Sequence, residues 1–135
     1  MADKKQIVVI GNGMAGVSAC EAVLKTKKEA AMTIFGDEPY TNYNRILLSD
    51  VLAGKTTYGK IVLNTKEWYD ENGIDLRLSS PIHSIDPVQK SVIDQNGKIT
   101  PYDSLILAMG GLPYLPPISG LDRKGVMVFR TMDET

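Results

Sequence analysis

Hydrophobic residues occur along this chain in short runs that predict strands of a parallel sheet joined by a helix. The first run, at positions 7–10 (IVVI), is continuous and β-branched, which is typical of a strand buried on both faces. Beyond a glycine-rich turn, Val17, Cys20 and Leu24 recur at helical spacing. We therefore predict a strand, a glycine turn and a helix that ends in a basic turn at 25–28.

The pattern downstream predicts a second strand and several shorter elements. Positions 31–35 form an apolar run, which we predict to be the second strand. Because a helix separates it from the first strand, the simplest connection is a right-handed crossover between parallel strands. The strand predicted at 104–108 again has the continuous pattern of a buried parallel strand. The remaining elements are a loop at 36–44, a short helical piece around 46–52, a helix at 65–72 closed by Gly73, and a strand at 74–78.

Three short apolar runs between these strands predict antiparallel pairing. They lie at 82–85, 91–94 and 98–102, and an Asp-Pro and an Asn-Gly dipeptide separate them. Asn-Gly between apolar runs is the strongest short-range signal for a hairpin, so we predict a meander here. The predicted fold class is α/β: a Rossmann-like, doubly wound parallel sheet with a three-stranded antiparallel meander insertion.

The composition excludes several kinds of protein and of partner, but it does not identify a function. The 135 residues suffice for one domain, and 15 Lys and Arg against 16 Asp and Glu leave a net charge of −1. This balance speaks against nucleic acid or acidic membrane as a partner, and the longest apolar runs are too short to span a membrane. The single cysteine, Cys20, and the absence of a secretory signal lead us to expect a cytoplasmic protein with neither a disulfide nor a metal site.

The turn after the first strand carries a nucleotide-binding pattern. Gly11, Gly13 and Gly16 match G-x-G-x-x-G, directly after a buried strand and at the start of a helix. The first glycine permits the tight turn, the second lets a pyrophosphate approach the backbone, and the third lets helix and strand pack closely. Free N–H groups and the helix dipole favour the anion. A turn that is merely structural is the alternative, and the flanking elements favour binding.

Two acidic residues, Asp37 and Glu38, follow the second predicted strand. The glycine motif predicts an acid about 20 positions on, which accepts hydrogen bonds from the hydroxyls of the adenosine ribose. Either residue fits this role, with Asp37 preferred, and a solvated loop pair is the alternative. Because no basic residue stands beside them, a ligand with a 2′-phosphate, such as NADP, is disfavoured.

Several ordered motifs together resemble a known family. They are VVIGNGMAG at 8–16, FGDEP at 35–39, NYNRILLS at 42–49 and LILAMG at 105–110. These segments resemble the N-terminal FAD-binding region of the FAD-dependent pyridine nucleotide-disulfide oxidoreductases. Within that superfamily the chain is most similar to the large subunit of NAD(P)H nitrite reductase and to rubredoxin and ferredoxin reductases, and the resemblance runs from about residue 6 to residue 135.

The resemblance implies that the nucleotide held at the glycine turn is FAD and not NAD. The turn then supplies the glycines together with Met14 and Ala15, and the pyrophosphate lies over it. Arg45 falls where relatives place an arginine near the FAD diphosphate and flavin, and its planar guanidinium suits that anion. The alternative for Arg45 is an ordinary surface charge.

The same resemblance implies that two further segments belong to the FAD site. Ile82 falls on the strand whose main chain contacts the adenine in relatives, although a core role is equally natural. Ala108, Met109 and Gly110 correspond to a second FAD motif that is usually Ala-Thr-Gly. Methionine removes the threonine hydroxyl, so any hydrogen bond from that hydroxyl is lost, while the backbone turn can survive. Many ferredoxin-type reductases carry a lysine that reaches the flavin at the position of Asp50. Because this chain has an aspartate there, we expect no flavin-tuning role for Asp50.

Other residues invite a functional interpretation, and a structural one is preferred for most. Cys20 has no cysteine partner for a redox-active disulfide and is expected to be a small buried hydrophobe. His83 is expected on a strand surface without a metal, and Trp68 and Tyr69 are expected to pack on the sheet. Three loop tyrosines either line a nucleotide cleft or lie at the surface: Tyr40, Tyr43 and Tyr58.

The resemblance also implies a parent reaction, in which NAD(P)H transfers a hydride to FAD and the electrons pass to an acceptor such as nitrite reductase centres or a small redox protein. No catalytic acid, base or nucleophile is expected in this chain. Relatives carry a second G-x-G-x-x-G fold for NAD(P)H, and this chain has one such motif. We therefore expect residues 1–135 to be the FAD-binding domain of a longer reductase, which does not turn over NAD(P)H alone and works with the remainder of the reductase or an electron-acceptor protein. The alternatives are a stand-alone adenine-dinucleotide-binding module without redox turnover and a chain that folds without ligand.

Overall fold

The computed structural model describes residues 4–26 and 29–135, which form two sheets and four α-helices. The strands are β1 (Lys5–Ile10), β2 (Ala30–Phe35), β3 (Ile74–Arg77), β4 (Ile82–Asp86), β5 (Ser91–Asp94), β6 (Ile99–Pro101) and β7 (Ser104–Leu107). The helices are α1 (Met14–Lys25), α2 (Leu48–Leu52), α3 (Tyr58–Ile61) and α4 (Lys66–Glu71), with single 3-10 turns at Arg45–Leu47 and Met132–Glu134.

The larger sheet is parallel and has the strand order β3-β2-β1-β7. Successive residues of β1 point to opposite faces of the sheet. Val9 is fully buried on one face with Val17 and Cys20 of α1 and Tyr69 of α4. Val8 is buried on the other face, against the smaller sheet. The continuous apolar run that begins the chain is therefore explained by burial on both faces, as its pattern predicts.

The smaller sheet is the predicted meander, with antiparallel order β4-β5-β6. Its hairpin contains Gly97, which has a φ of +79°, as the Asn-Gly signal requires. The side chain of Asp94 stabilises the turn, because its carboxylate accepts hydrogen bonds from the N–H groups of Asn96 (2.8 Å) and Lys98 (3.0 Å). Val92 of β5 is fully buried against the parallel sheet. The predicted α/β fold class is thus confirmed.

Some element boundaries differ from the prediction. The helical piece predicted around 46–52 consists of a 3-10 turn followed by α2, and α3 was not predicted because it is a single turn between loops. β1 begins two residues before the apolar run, since Lys5 pairs with Ala30 of β2. α1 ends at Lys25, and residues 27–28 of the predicted basic turn lie outside the described residues.

The structure places the residues to which no functional role was given. Tyr69 is fully buried in the core and Trp68 packs beside it. His83 is exposed on β4, and the described residues contain no group of three His, Cys, Asp or Glu side chains that could hold a metal. Asp50 forms an exposed ion pair with Lys55 at 3.8 Å. Across 4–26 and 29–135, no helix combines the length and the hydrophobicity needed to cross a membrane.

Burial of Cys20 makes its thiol unreactive. The residue is 1% exposed, and burial, with Glu21 nearby, raises the pKa of the thiol to about 11. Because the thiolate is the reactive form, we expect a disulfide reagent such as DTNB to label the folded chain at pH 8 at least about a hundredfold more slowly than the chain unfolded in urea. Equal labelling rates before and after unfolding would contradict this burial.

The same pKa predicts how stability responds to alkaline pH. The thiol of the unfolded chain has a pKa near its ordinary value of 9.0, so the folded state holds the proton more tightly. The contribution of Cys20 to the free energy of unfolding is therefore fully present below pH 9 and is lost as the pH rises towards about 11. Urea titrations from pH 8 to 11 measure this loss, and Cys20→Ala should make the decline shallower than in the unaltered chain.

Candidate functional site

The glycine turn sits where three strands of the parallel sheet end. Gly11 follows β1 with a φ of +112°, and its N–H donates to the carbonyl of Phe35 at 2.8 Å. A Cβ at Gly11 would lie 2.1 Å from the backbone oxygen of Ala108, so the turn is packed directly against the end of β7. A Cβ at Gly16 would lie 1.9 Å from the oxygen of Gly11. The first and third glycines of the motif are thus required by backbone packing.

Gly13 differs from the other two glycines of the motif. A Cβ there would have no neighbour within 4 Å, and its φ of −91° is open to any residue. Gly13 is the N-cap of α1, where no side chain caps the helix and the first turn contains no acidic residue. The start of a helix has unpaired N–H groups and a positive dipole end. This end of α1 therefore presents an open, anion-attracting surface.

Two adjoining clefts lie at this edge of the sheet. The larger one has a volume of about 250 Å³, and the glycine turn, the loop after β2 and the segment after β7 line it. The smaller one has a volume of about 180 Å³. Gly11, Asp37 and Met109 line both clefts. The predicted residues in the larger cleft are Gly11, Gly13, Met14, Ala15, Asp37, Glu38, Arg45, Ala108, Met109 and Gly110, whereas Ile82 lines the smaller one and Gly16 packs beneath the turn.

The two acidic residues after β2 have different surroundings. Asp37 is exposed and lines both clefts. The side chain of Glu38 is only 14% exposed, and its Oε1 lies 2.6 Å from Nη2 of Arg45. Its Oε2 accepts a hydrogen bond of 2.6 Å from the hydroxyl of Tyr43. Asp37 is thus presented to a ligand, while the Glu38 carboxylate is bound within the protein.

Arg45 lies at the rim of the larger cleft and is held on several sides. Besides the Glu38 ion pair, its Nη1 donates to the carbonyl oxygen of Arg130, and its guanidinium carbon lies 5.1 Å from the centre of the Tyr43 ring. Burial and the hydrogen bond to Glu38 raise the pKa of the Tyr43 hydroxyl, which therefore stays protonated and donates. The side chain of Arg45 is 33% exposed, so it still reaches the solvent of the cleft.

The segment after β7 keeps the turn that the resemblance implies. The Ala108 N–H donates to the carbonyl of Ile10 at 2.8 Å, and Gly110 has a φ of +70°. Met109 is 56% exposed between the two clefts. The substitution of methionine for threonine thus leaves the backbone turn in place and puts a flexible apolar side chain at the site.

Sequence reasoning did not assign five residues that line the larger cleft, which are Asn12, Gly36, Thr41, Asn42 and Arg130. Asn12 accepts a hydrogen bond from the Tyr69 hydroxyl (2.7 Å) and donates to the carbonyl of Tyr40 (3.3 Å), which ties the glycine turn to α4. Arg130 donates from Nη2 to the carbonyl of Met109 at 3.3 Å. The motif leaves the Asn12 position unspecified, and Arg130 is far from the other motifs in sequence, so neither carried a local signal.

One aromatic cluster beside the larger cleft contains Tyr40, Tyr43 and Tyr58. Tyr58 was expected in a loop and is instead the first residue of α3. The ring centre of Tyr40 lies 6.4 Å from that of Tyr43 and 5.1 Å from that of Tyr58. Tyr40 and Tyr43 line the cleft, whereas Tyr58 packs with them and with Leu48 and Ile61 in a small core of its own. This cluster supports the loop that carries Arg45.

Comparison with known proteins identifies a family and several relatives of this chain. The family model described as pyridine nucleotide-disulphide oxidoreductase matches residues 5–135. The chain is 50% identical over 133 residues to nitrite reductase [NAD(P)H] of Bacillus subtilis, covering 98% of this chain and 16% of that protein. It is 46% identical over 132 residues to the assimilatory nitrate reductase electron transfer subunit of the same organism, covering 97% and 17%. The chain thus spans about one sixth of the length of these curated relatives.

A solved structure agrees with these relatives. The crystal structure of NADH:rubredoxin oxidoreductase from Clostridium acetobutylicum superimposes with a TM-score of 0.85 at 27% identity, covering 98% of this chain and 34% of that one. The predicted resemblance is therefore confirmed by sequence and by fold. This chain is a member of the pyridine nucleotide-disulphide oxidoreductase family.

Proposed function

We propose that this chain binds FAD in the two adjoining clefts and serves as the FAD-binding portion of an NAD(P)H-dependent flavoprotein oxidoreductase. The observation that carries the proposal is the geometry of the glycine turn. Two of its glycines are packed against backbone, while Gly13 is open at the uncapped start of α1. An open backbone at a helix N-terminus suits a diphosphate, because the N–H groups and the dipole both favour negative charge.

The other residues of the clefts fit the remaining parts of such a ligand. The exposed carboxylate of Asp37 suits the hydroxyls of a ribose, and the smaller cleft beside it, which Ile82 lines, is suited to an adenine. The guanidinium of Arg45 suits an anion at the rim of the larger cleft. Ala108, Met109 and Gly110 also line the larger cleft. We assign the diphosphate to the turn and to Arg45, and the adenosine to Asp37 and the smaller cleft.

In this proposal the chain contributes position and electrostatics. Bound FAD would supply the redox chemistry, since it accepts a hydride from NAD(P)H and passes electrons onward. The residues of the chain bind and orient the cofactor, and neither general acid–base catalysis nor a nucleophile is assigned to them. The electron acceptor that we propose is a further part of the reductase or a small redox protein, in keeping with relatives named as a nitrite reductase and as an electron transfer subunit.

A strip of exposed apolar residues supports a larger parent protein. Seven large apolar side chains between 112 and 129 are 44% to 88% exposed: Leu112, Tyr114, Leu115, Ile118, Val126, Met127 and Phe129. Large apolar side chains exposed together in one segment are typical of a surface that another part of a protein covers. Together with the small fraction of each curated relative that the chain spans, these residues support our proposal that residues 1–135 are one domain of a longer reductase.

Titration of the 135-residue chain with FAD tests the proposal. We expect quenching of flavin fluorescence and a shifted, structured flavin absorption spectrum at saturation. If the chain bound ADP as tightly as FAD, the result would instead support the alternative, a stand-alone adenine-dinucleotide module without redox turnover. A chain that retains its circular dichroism spectrum but binds neither ligand would refute both functions.

Asp37→Asn should weaken FAD binding by about tenfold, because a charged hydrogen bond to a ribose contributes more than a neutral one. Isothermal titration of FAD and of ADP measures the effect, which should be the same for both ligands since both contain the ribose. Asp122→Asn is the matched control, because Asp122 is exposed and lines neither cleft. Equal losses in the two variants would remove Asp37 from the site.

A further inference from the structure

The Glu38 carboxylate is directed into the protein although it follows β2 at a position where an acid is expected to meet a ribose. Oε1 is paired with Nη2 of Arg45 at 2.6 Å. Oε2 accepts from the Tyr43 hydroxyl at 2.6 Å and, at a longer 3.4 Å, from the N–H of Met132. Both oxygens are therefore engaged by protein donors, and with 14% exposure the side chain has little surface left for a ligand.

The consequence of these contacts is a guanidinium with a defined orientation. Arg45 is fixed by the ion pair to Glu38, by its bond to the carbonyl of Arg130, and by the Tyr43 ring beneath it. Among the described residues these contacts use two of the five N–H donors that a guanidinium carries. The other donors can serve an anion in the cleft that Arg45 lines.

We propose that Glu38 and Tyr43 are positioning residues, which hold Arg45 at the rim of the cleft for the diphosphate of the bound nucleotide, and that Glu38 does not itself contact the nucleotide. This inference rests on the proposed function. An arginine on a flexible stem loses rotamer freedom when it binds an anion. An arginine that is already held loses less, so preorganisation strengthens binding.

The positioning unit joins two distant parts of the chain. The N–H of Met132 donates to the Tyr43 hydroxyl at 3.2 Å, and the hydroxyl of Tyr40 donates to Asp133 at 2.5 Å. With the Arg45 bond to Arg130, these contacts anchor the C-terminal segment against the loop after β2. The segment in turn shields Glu38 from solvent, which strengthens its ion pair.

A double-mutant cycle tests the assignment of Glu38. We expect Glu38→Gln to weaken FAD binding at least about tenfold, and Arg45→Met to weaken it by a similar or larger factor. The combined variant should bind no more than about twofold more weakly than Arg45→Met alone, because Glu38 acts through Arg45. Tyr43→Phe should give a smaller loss in the same direction. Flavin fluorescence titration measures all four variants, and thermal melts confirm that each is folded.

Adenosine separates positioning from direct contact with the ribose. This probe contains the ribose and lacks phosphate, so Glu38→Gln should leave its affinity, measured by NMR titration, unchanged. Weaker adenosine binding, or losses in FAD affinity that add fully in the double variant, would identify Glu38 as a ribose ligand and overturn the proposal. Glu71→Gln is the matched control, since Glu71 is exposed and lies at the end of α4.

A measurement without ligand separates this inference from the proposed function. In the wild-type chain the side-chain NMR signals of Arg45 should show slow rotation and slow exchange, and Glu38→Gln should abolish both. A mobile Arg45 in a chain that binds FAD would refute the positioning role alone. Failure of the wild-type chain to bind FAD would refute the proposed function and, with it, the diphosphate as the target of Arg45, even if Arg45 is held.

Discussion

Gly16→Ala should destabilise the fold by at least about 3 kcal/mol, a large share of the about 5–15 kcal/mol typical of a domain. The added Cβ would lie 1.9 Å from the backbone oxygen of Gly11 and 3.1 Å from its carbonyl carbon. Both neighbours are backbone atoms of the turn, so no side chain can rotate to make room. The start of α1 must move away from β1, which opens the core around Val9 and Val17. Urea unfolding followed by circular dichroism measures the loss.

Gly13→Ala is the matched control, because it makes the same chemical change three residues earlier on the same turn. Its Cβ would meet no atom within 4 Å, and its backbone is extended. We expect a cost below about 1 kcal/mol, which comes from replacing glycine at an N-cap. Equal stability of the two variants would show that the close approach of α1 and β1 is not essential to the fold.

The fold was predictable because its main elements carry local patterns. A continuous β-branched run of strand length favours a strand covered on both faces, and the Asn-Gly dipeptide favours a turn with a positive φ, as Gly97 shows. Short elements carry no such pattern. α3 has four residues, too few for a period of 3.6 to be seen. Val62, which directly follows α3, pairs with the distant Tyr43 in an isolated bridge.

The site was predictable only where its residues belong to a motif. The glycine turn, Asp37 and Ala108 were predicted from spacing and resemblance, and the structure brings them together at the larger cleft. The Glu38–Arg45 pair and its link to Arg130 depend on how the loop after β2 meets a segment 85 residues further along. One sequence contains no signal for a contact of that kind, since any carboxylate and any arginine could pair.

The three glycines of the motif also show why a glycine pattern alone is weak. Gly11 and Gly16 are required by backbone packing in this fold whether or not a nucleotide binds. Gly13 has no such requirement, as neither its φ nor its surroundings exclude a side chain. The interpretation of the turn as merely structural therefore accounts for two of the glycines. For the third, Gly13, the proposed diphosphate ligand supplies the reason.

Gly13→Leu should abolish FAD binding while the fold is retained. A leucine at this position projects into the open space before α1, where the backbone would otherwise meet the diphosphate. Filling that space removes several N–H contacts and the close approach to the helix dipole, so we expect affinity to fall by at least about a hundredfold. Flavin fluorescence titration gives the affinity, and a thermal melt gives the stability, which should change by no more than about 1 kcal/mol.

Gly59→Leu provides the control for this test, because Gly59 is exposed on α3, has no atom within 4 Å of an added Cβ and lines neither cleft. We expect its FAD affinity to equal that of the unaltered chain. The pair separates a steric block at the turn from a general effect of adding an apolar side chain. If Gly13→Leu bound FAD as tightly as Gly59→Leu, the diphosphate would have to lie elsewhere, because the space before α1 cannot hold both a leucine side chain and a phosphate in contact with the backbone. In that case the role of Gly13 in the motif would be unexplained, and the assignment of the clefts to FAD would fail with it.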